Sequence, residues 1–123
     1  MRRTRALAIA LATIGAAITT ASASGRSTAT PTLVGTVGPG FTISLKEGNK
    51  VVKTLKAGKY TFLIHDKASI HAFSLDGPRG FAKDFTTVPF VGTKFVTVTL
   101  AAGKYKYFCP PHEAEMFGHF TVT

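Results

Sequence analysis

Cysteine is almost missing from this chain. Cys109 is the only one among 123 residues, so no internal disulfide can staple the fold, although small exported domains are often held that way. A lone thiol in an oxidising compartment is open to oxidation unless it is buried or committed as a ligand, and Cys109 therefore needs a role. Acidic residues are scarce too, 6 Asp and Glu against 15 Lys and Arg. No window carries the 3.6-residue apolar spacing of an amphipathic helix, and no apolar run is long enough to span a bilayer. Nucleic acid is a poor partner, because the lysines are scattered singly rather than gathered on one segment.

The longest apolar run, Ala6 to Ile18, follows Arg2, Arg3 and Arg5 and precedes Thr19, Thr20 and the triplet Ala21-Ser22-Ala23. A basic start, a short apolar stretch and an A-x-A site are the layout of a secretory signal peptide. Residues 1–23 are thus predicted to be a leader cut after Ala23, and the mature protein periplasmic or secreted. The Arg2-Arg3 pair suggests twin-arginine export, but the residues after it fit general secretion better. No cysteine stands at the cleavage site to carry a lipid. Residues 24–32, SGRSTATPT, are small and polar and read as a flexible lead-in. Residues 33–123 are enough for one domain, read as a monomer. Loss of three leader arginines leaves 12 basic against 6 acidic side chains, a mature charge of +6. Such a balance predicts an acidic partner or weak contact with an anionic membrane surface.

From Leu33 onward the chain reads as short β-runs between glycine and proline turns. Phe41 to Leu45 alternates apolar and polar residues, and Val51-Val52, Tyr60 to Ile64, Ile70 to Leu75, Phe95 to Leu100, Tyr105 to Cys109 and Phe117 to Thr123 continue the pattern. Turns fall at Gly38-Pro-Gly40, Glu47-Gly-Asn49, Ala57-Gly58, Asp76-Gly-Pro78 and Ala102-Gly103. The expected fold is an all-β sandwich of about seven to eight strands. Leu55-Lys-Ala-Gly-Lys-Tyr60 and Leu100-Ala-Ala-Gly-Lys-Tyr105 are near copies. Each reads as a turn launching an aromatic-rich strand, which makes Tyr60 and Tyr105 packing or corner residues.

The chemistry is concentrated in Phe108-Cys-Pro-Pro-His-Glu-Ala-Glu-Met-Phe-Gly118. A thiolate, an imidazole three residues on and a thioether four beyond that share one loop between two strands. A His₂Cys set with a weak axial Met is the site type of blue-copper electron transfer. Pro110 and Pro111 stiffen the loop and remove backbone donors, and stiff ligands favour fast electron transfer. The second imidazole has to come from elsewhere in the chain. His71, in Ser69-Ile-His-Ala-Phe-Ser-Leu75, is the better candidate; His65 precedes Asp66 near the end of its own strand, and His119 alternates with Phe120 on the last strand.

The run Cys109-Pro-Pro-His112-x-x-x-Met116-Phe-Gly-His-Phe-Thr-Val, with Ile-His71-x-Phe-x-Leu upstream, resembles the small blue copper proteins of the plastocyanin/pseudoazurin/amicyanin group. The likeness is greatest to bacterial plastocyanin-like domains and covers Leu33 to Thr123. It implies a Greek-key cupredoxin sandwich with one copper ion, His71, Cys109 and His112 as equatorial ligands and Met116 axial. It also implies that His112 lies in an apolar surface patch and serves as the electron port to redox partner proteins. The chain departs from the group in two places. Ala72 stands where the group usually has Asn or Ser tying the two ligand loops together. The His112–Met116 spacing is one residue shorter than in plastocyanins proper and one longer than in amicyanins.

Other function classes account for these residues less well. A Cys–His nucleophile pair would make the chain an enzyme, but Cys109 sits at a strand end before two prolines, with no helix N-terminus to lower its pKa. A multicopper oxidase needs more than four histidines, and a binuclear copper site needs two cysteines. A copper-delivery protein with the same ligands remains the alternative to an electron carrier, and zinc the alternative metal for an N/S donor set.

Overall fold

The computed structural model describes residues 15–17 and 29–123. Apart from residues 15–17, which have no regular structure, the leader expected over 1–23 lies outside the described residues, as do positions 24–28 of the lead-in. Ten strand segments follow: β1 (Thr32–Val37), β2 (Ile43–Glu47), β3 (Lys50–Val51), β4 (Thr54–Leu55), β5 (Gly58–Asp66), β6 (Ser74–Asp76), β7 (Ala82–Asp84), β8 (Gly92–Leu100), β9 (Gly103–Phe108) and β10 (Phe117–Val122). Among the described residues no helix is long and apolar enough to cross a membrane.

The strands form two five-stranded sheets, ordered β3-β2-β1-β5-β8 and β4-β10-β9-β6-β7. β1 runs parallel to β5, and β4 parallel to β10, while the other pairs are antiparallel. Parallel neighbours cannot be joined by a hairpin, so the chain must cross between sheets, the Greek-key habit of a sandwich. Period-2 patterning drives the closure. On β5 the side chains of Tyr60, Phe62, Ile64 and Asp66 face inward and are buried. Tyr60, Phe62 and Ile64 meet Leu75, Tyr105, Tyr107 and Phe120 of the second sheet, and Phe73 just before it, in one core, with ring stacking of Phe62 on Phe85 at 4.8 Å and Tyr105 on Phe120 at 5.1 Å.

The expected strands are present, with more segments than the apolar runs suggested. Val51-Val52 is not one strand: Val51 ends β3, and Val52, whose N–H donates to Leu45 O at 3.0 Å, leads toward β4. β7 is Ala-Lys-Asp and carries no apolar signal. The run Ile70–Leu75 becomes strand only at Ser74, because the preceding backbone is drawn into other bonds. His71 N–H closes a turn on Ala68 O at 3.1 Å, and Phe73 N–H donates to Thr86 Oγ1 at 2.9 Å. His71 therefore lies on an irregular loop rather than on a strand.

The two near-copy segments act alike. Tyr60 Oη donates to Lys56 O at 2.7 Å and Tyr105 Oη to Ala101 O at 2.9 Å, each tying a strand start to its turn in the manner of a tyrosine corner. β5 and β9 leave these corners in register with β8 and β10. Their far ends, at Asp66 and Phe108, deliver the loops that carry His71 and Cys109 to the same end of the sandwich.

Candidate metal centre

Cys109 follows the last residue of β9, and the loop behind it is stitched by its own backbone. His112 N–H donates to Cys109 O at 3.0 Å, Met116 N–H to His112 O at 2.9 Å, and Cys109 N–H to Met116 O at 3.0 Å. Pro110 and Pro111 occupy the first positions of a 3₁₀ turn through His112, where a missing N–H leaves no bond unmade. The turn holds Cys109 inward and fully buried, leaves His112 half-buried, and buries Met116 behind them.

His71, also fully buried, brings its Nδ1 to 3.2 Å from His112 Nδ1 and 3.8 Å from Cys109 Sγ, while His112 Nδ1 is 3.6 Å from the same sulfur. These three residues form a group able to hold a metal ion. Metal–nitrogen and metal–sulfur bonds of ~2.0 and ~2.3 Å in a trigonal plane give edges of ~3.5 Å between nitrogens and ~3.7 Å from nitrogen to sulfur. The observed triangle has that size. Two imidazoles and a thiolate suit both oxidation states of copper, so the residues present fit the ion that the sequence motif implies.

Backbone groups brace the triangle. Ala72 N–H points at Cys109 Sγ from 3.4 Å, a charge-assisted contact once the sulfur is a thiolate. The neighbouring Phe73 is held on both sides by one segment: Thr86 Oγ1 accepts its N–H, and its carbonyl accepts from Phe85 N–H at 2.9 Å and Thr86 N–H at 3.3 Å. Lys106 Nζ meets Glu113 Oε1 at 2.9 Å, tying the loop to β9.

Of the sequence-level candidates, the structure brings His71, Cys109 and His112 together and buries Met116 at the foot of the loop. His65 is turned away, its Nδ1 3.1 Å from Thr93 Oγ1, and exposed His119 packs edge-on to Phe117 with ring centres 5.7 Å apart. Sequence reasoning missed two contributors. Phe41, read as the start of a strand, precedes β2 and stands edge-on over both imidazoles, 5.5 Å from the His71 ring and 4.9 Å from the His112 ring, while itself 55% exposed. The glycine-proline-glycine turn before it was the available signal. Thr86 had none, because the bond it makes crosses between segments.

The family of copper binding proteins described as plastocyanin/azurin matches residues 42–123. Among solved structures, a histidine-to-methionine variant of rusticyanin is similar at 27% identity over 75% of this chain and 76% of its own, with a TM-score of 0.50. Reduced rusticyanin is similar at 25% identity over the same shares, TM-score 0.50. A tryptophan-to-tyrosine variant of reduced amicyanin shares the fold at 17% identity over 79% of this chain and 87% of its own, TM-score 0.50. No curated protein sequence matches significantly.

Proposed function

The chain belongs to the plastocyanin/azurin family of copper-binding proteins, as a blue copper cupredoxin, and from that premise we propose that it is a one-electron carrier working outside the cytoplasm. The observation that carries this reading is the size of the His71–Cys109–His112 triangle, set on a loop stitched by its own backbone bonds. Copper, when bound, supplies a one-electron couple. The chain's own residues supply the rest. His71, Cys109 and His112 would hold the ion, with the Met116 thioether as a fourth, weaker donor. The proline turn and the loop's backbone bonds keep the donors in place in both oxidation states, which keeps reorganisation small. Burial of His71 and Cys109 keeps bulk solvent away and protects the thiolate from oxidation. His112, half-buried beside Phe41, gives electrons a short route to a redox partner docked on that end.

A closed donor set on a stitched loop favours retention of the ion over its delivery. The signal-like segment before Ser24 supports export, and the mass of the mature N-terminus checks the cut after Ala23. The experiment for the site is optical. Copper(II)-loaded protein should show an intense thiolate-to-copper band in the visible, and Cys109→Ser should abolish it while the sandwich stays folded. A colourless wild type whose full copper content is confirmed by metal analysis would sink the proposal.

A further inference from the structure

Two buried side-chain atoms among the described residues have no hydrogen-bond partner, His71 Nε2 and Asp66 Oδ2. They belong to the two ends of the short turn that leaves β5 and enters the site. Asp66 takes the last inward position of β5, after Tyr60, Phe62 and Ile64, and is 2% exposed. An apolar residue would continue that row; a buried carboxylate there costs several kcal/mol unless it is hydrogen-bonded. Asp66 Oδ1 accepts Ala68 N–H at 3.3 Å, which shapes the turn. Turn formation uses one oxygen and works equally well at the surface, so it does not account for a second oxygen held in the interior.

His71 presents the complementary need. Its Nδ1 faces Cys109 Sγ and His112 Nδ1. A ligating nitrogen carries no proton, so the proton of the neutral ring resides on Nε2, a buried donor. Gly38 packs against the turn that carries both residues. With φ +78 it turns the β1–β2 connection away, and a Cβ there would lie 3.0 Å from His71 Cδ2, the carbon bonded to Nε2. The same Cβ would lie 3.6 Å from Ala68 N, the atom that holds Asp66. Ala68 Cβ would lie 3.3 Å from the same point, so only a glycine fits where the β1–β2 connection crosses this turn.

We propose that Asp66 is a positioning residue for the copper centre: its Oδ2 accepts the Nε2–H of His71 through one water held beside Gly38. Donor and acceptor do not meet directly, and a buried water linking otherwise unpartnered groups is the usual solution. The link fixes the tautomer with Nδ1 free, sets the ring's orientation, and makes the imidazole a stronger donor, as carboxylate partners of metal-bound histidines do. No proton is transferred. The inference rests on His71 being a ligand.

The test uses copper-loaded Asp66→Asn. The amide oxygen keeps the bond to Ala68 N–H, while an NH₂ replaces the acceptor that serves Nε2–H. The variant should stay blue, its reduction potential should rise, and copper(II) should dissociate with a constant ~10–100-fold larger. Wild-type protein in the copper(I) state supplies a measurement that needs no mutant: the His71 Nε2–H should appear in proton–nitrogen NMR as a slowly exchanging signal with a cross-peak to water. A folded, blue Asp66→Asn with unchanged potential and affinity overturns the proposal and leaves the copper assignment standing. So does a wild-type Nε2–H with a through-bond coupling to a backbone carbonyl carbon. A wild type without the blue band would count against the copper site instead.

Discussion

Ala72 has no side chain able to tie the two ligand loops together, and the connection is made by other atoms. Ala72 contributes its amide to Cys109 Sγ, and Thr86, 1% exposed, holds the adjoining Phe73 N–H. Thr86→Val keeps the volume but leaves that N–H buried and unpaired, which costs about 1–3 kcal/mol. Metal-free protein should therefore unfold at lower denaturant concentration with an unchanged slope; a midpoint that does not move would show that Thr86 is not a brace. Met116 is the other residue whose chemistry can be isolated. An axial donor tunes the potential more than it retains the metal. Met116→Gln should strengthen axial donation and lower the reduction potential, and Met116→Leu should raise it, with copper kept in both. Voltammetry decides the matter: potentials that move together, or not at all, exclude axial ligation by Met116.

Strands and turns set where those residues stand. β9 and β10 pair from Gly103–Val122 to Phe108–Phe117, so the ends of one hairpin fix the separation of Cys109 and Met116. Gly118 is part of that pairing for a steric reason, since a Cβ on it would overlap the Tyr107 hydroxyl. Gly118→Ala must push the ring aside or bend β10, and overpacking of this kind costs about 1–3 kcal/mol. The loss should appear as a lower Tm, together with a shifted blue band because the ligand loop hangs on the displaced strand. At the opposite end, Tyr105→Phe deletes the bond to Ala101 O. It should cost about 1 kcal/mol and leave the visible spectrum unchanged, because the corner launches β9 at the end away from the copper ligands. An altered spectrum in Tyr105→Phe would contradict that separation.

Most of the exposed lysines gather at one end of the molecule, with Lys67 beside the ligand loops an exception. Lys46, Lys50, Lys53, Lys56, Lys59 and Lys104 are all exposed and lie on β2 to β5 and the start of β9, at the end remote from the ligand loops. Toward the site, Lys106 is paired with Glu113, and Lys94 lies over the Phe90 ring at 4.6 Å. If the leader is cut as proposed, the +6 of the mature chain would act on an acidic redox partner as a long-range field, with the contact itself made around His112 and Phe41. Association with such a partner should slow as salt rises, because fields are screened beyond ~10 Å at 0.1 M. Reversing Lys53 and Lys56 to Glu should slow association further without changing the transfer rate inside the bound complex. Association rates that stay flat across a salt series would mean that the lysines only keep the strand edges soluble.

Much of this was legible in the sequence because it is carried by local pattern. Period-2 runs and glycine-proline turns identify the sandwich, since alternation leaves one face of each strand apolar. Cys109, His112 and Met116 are visible because a single loop carries them, and the repeated Leu-x-Ala-Gly-Lys-Tyr segments announce the corners at Tyr60 and Tyr105. The rest depended on segments distant in the chain. The packing that sets His71 rather than His65 beside Cys109 is tertiary, as are Thr86 holding Phe73, Phe41 standing over both imidazoles, and Asp66 entering the core beside Gly38. Alternation places Asp66 inward on β5, but only the folded chain leaves its second oxygen and His71 Nε2 buried without partners. Spacing records which residues share a loop; hydrogen bonds and ligand triangles are made across the sandwich, where sequence distance carries no information.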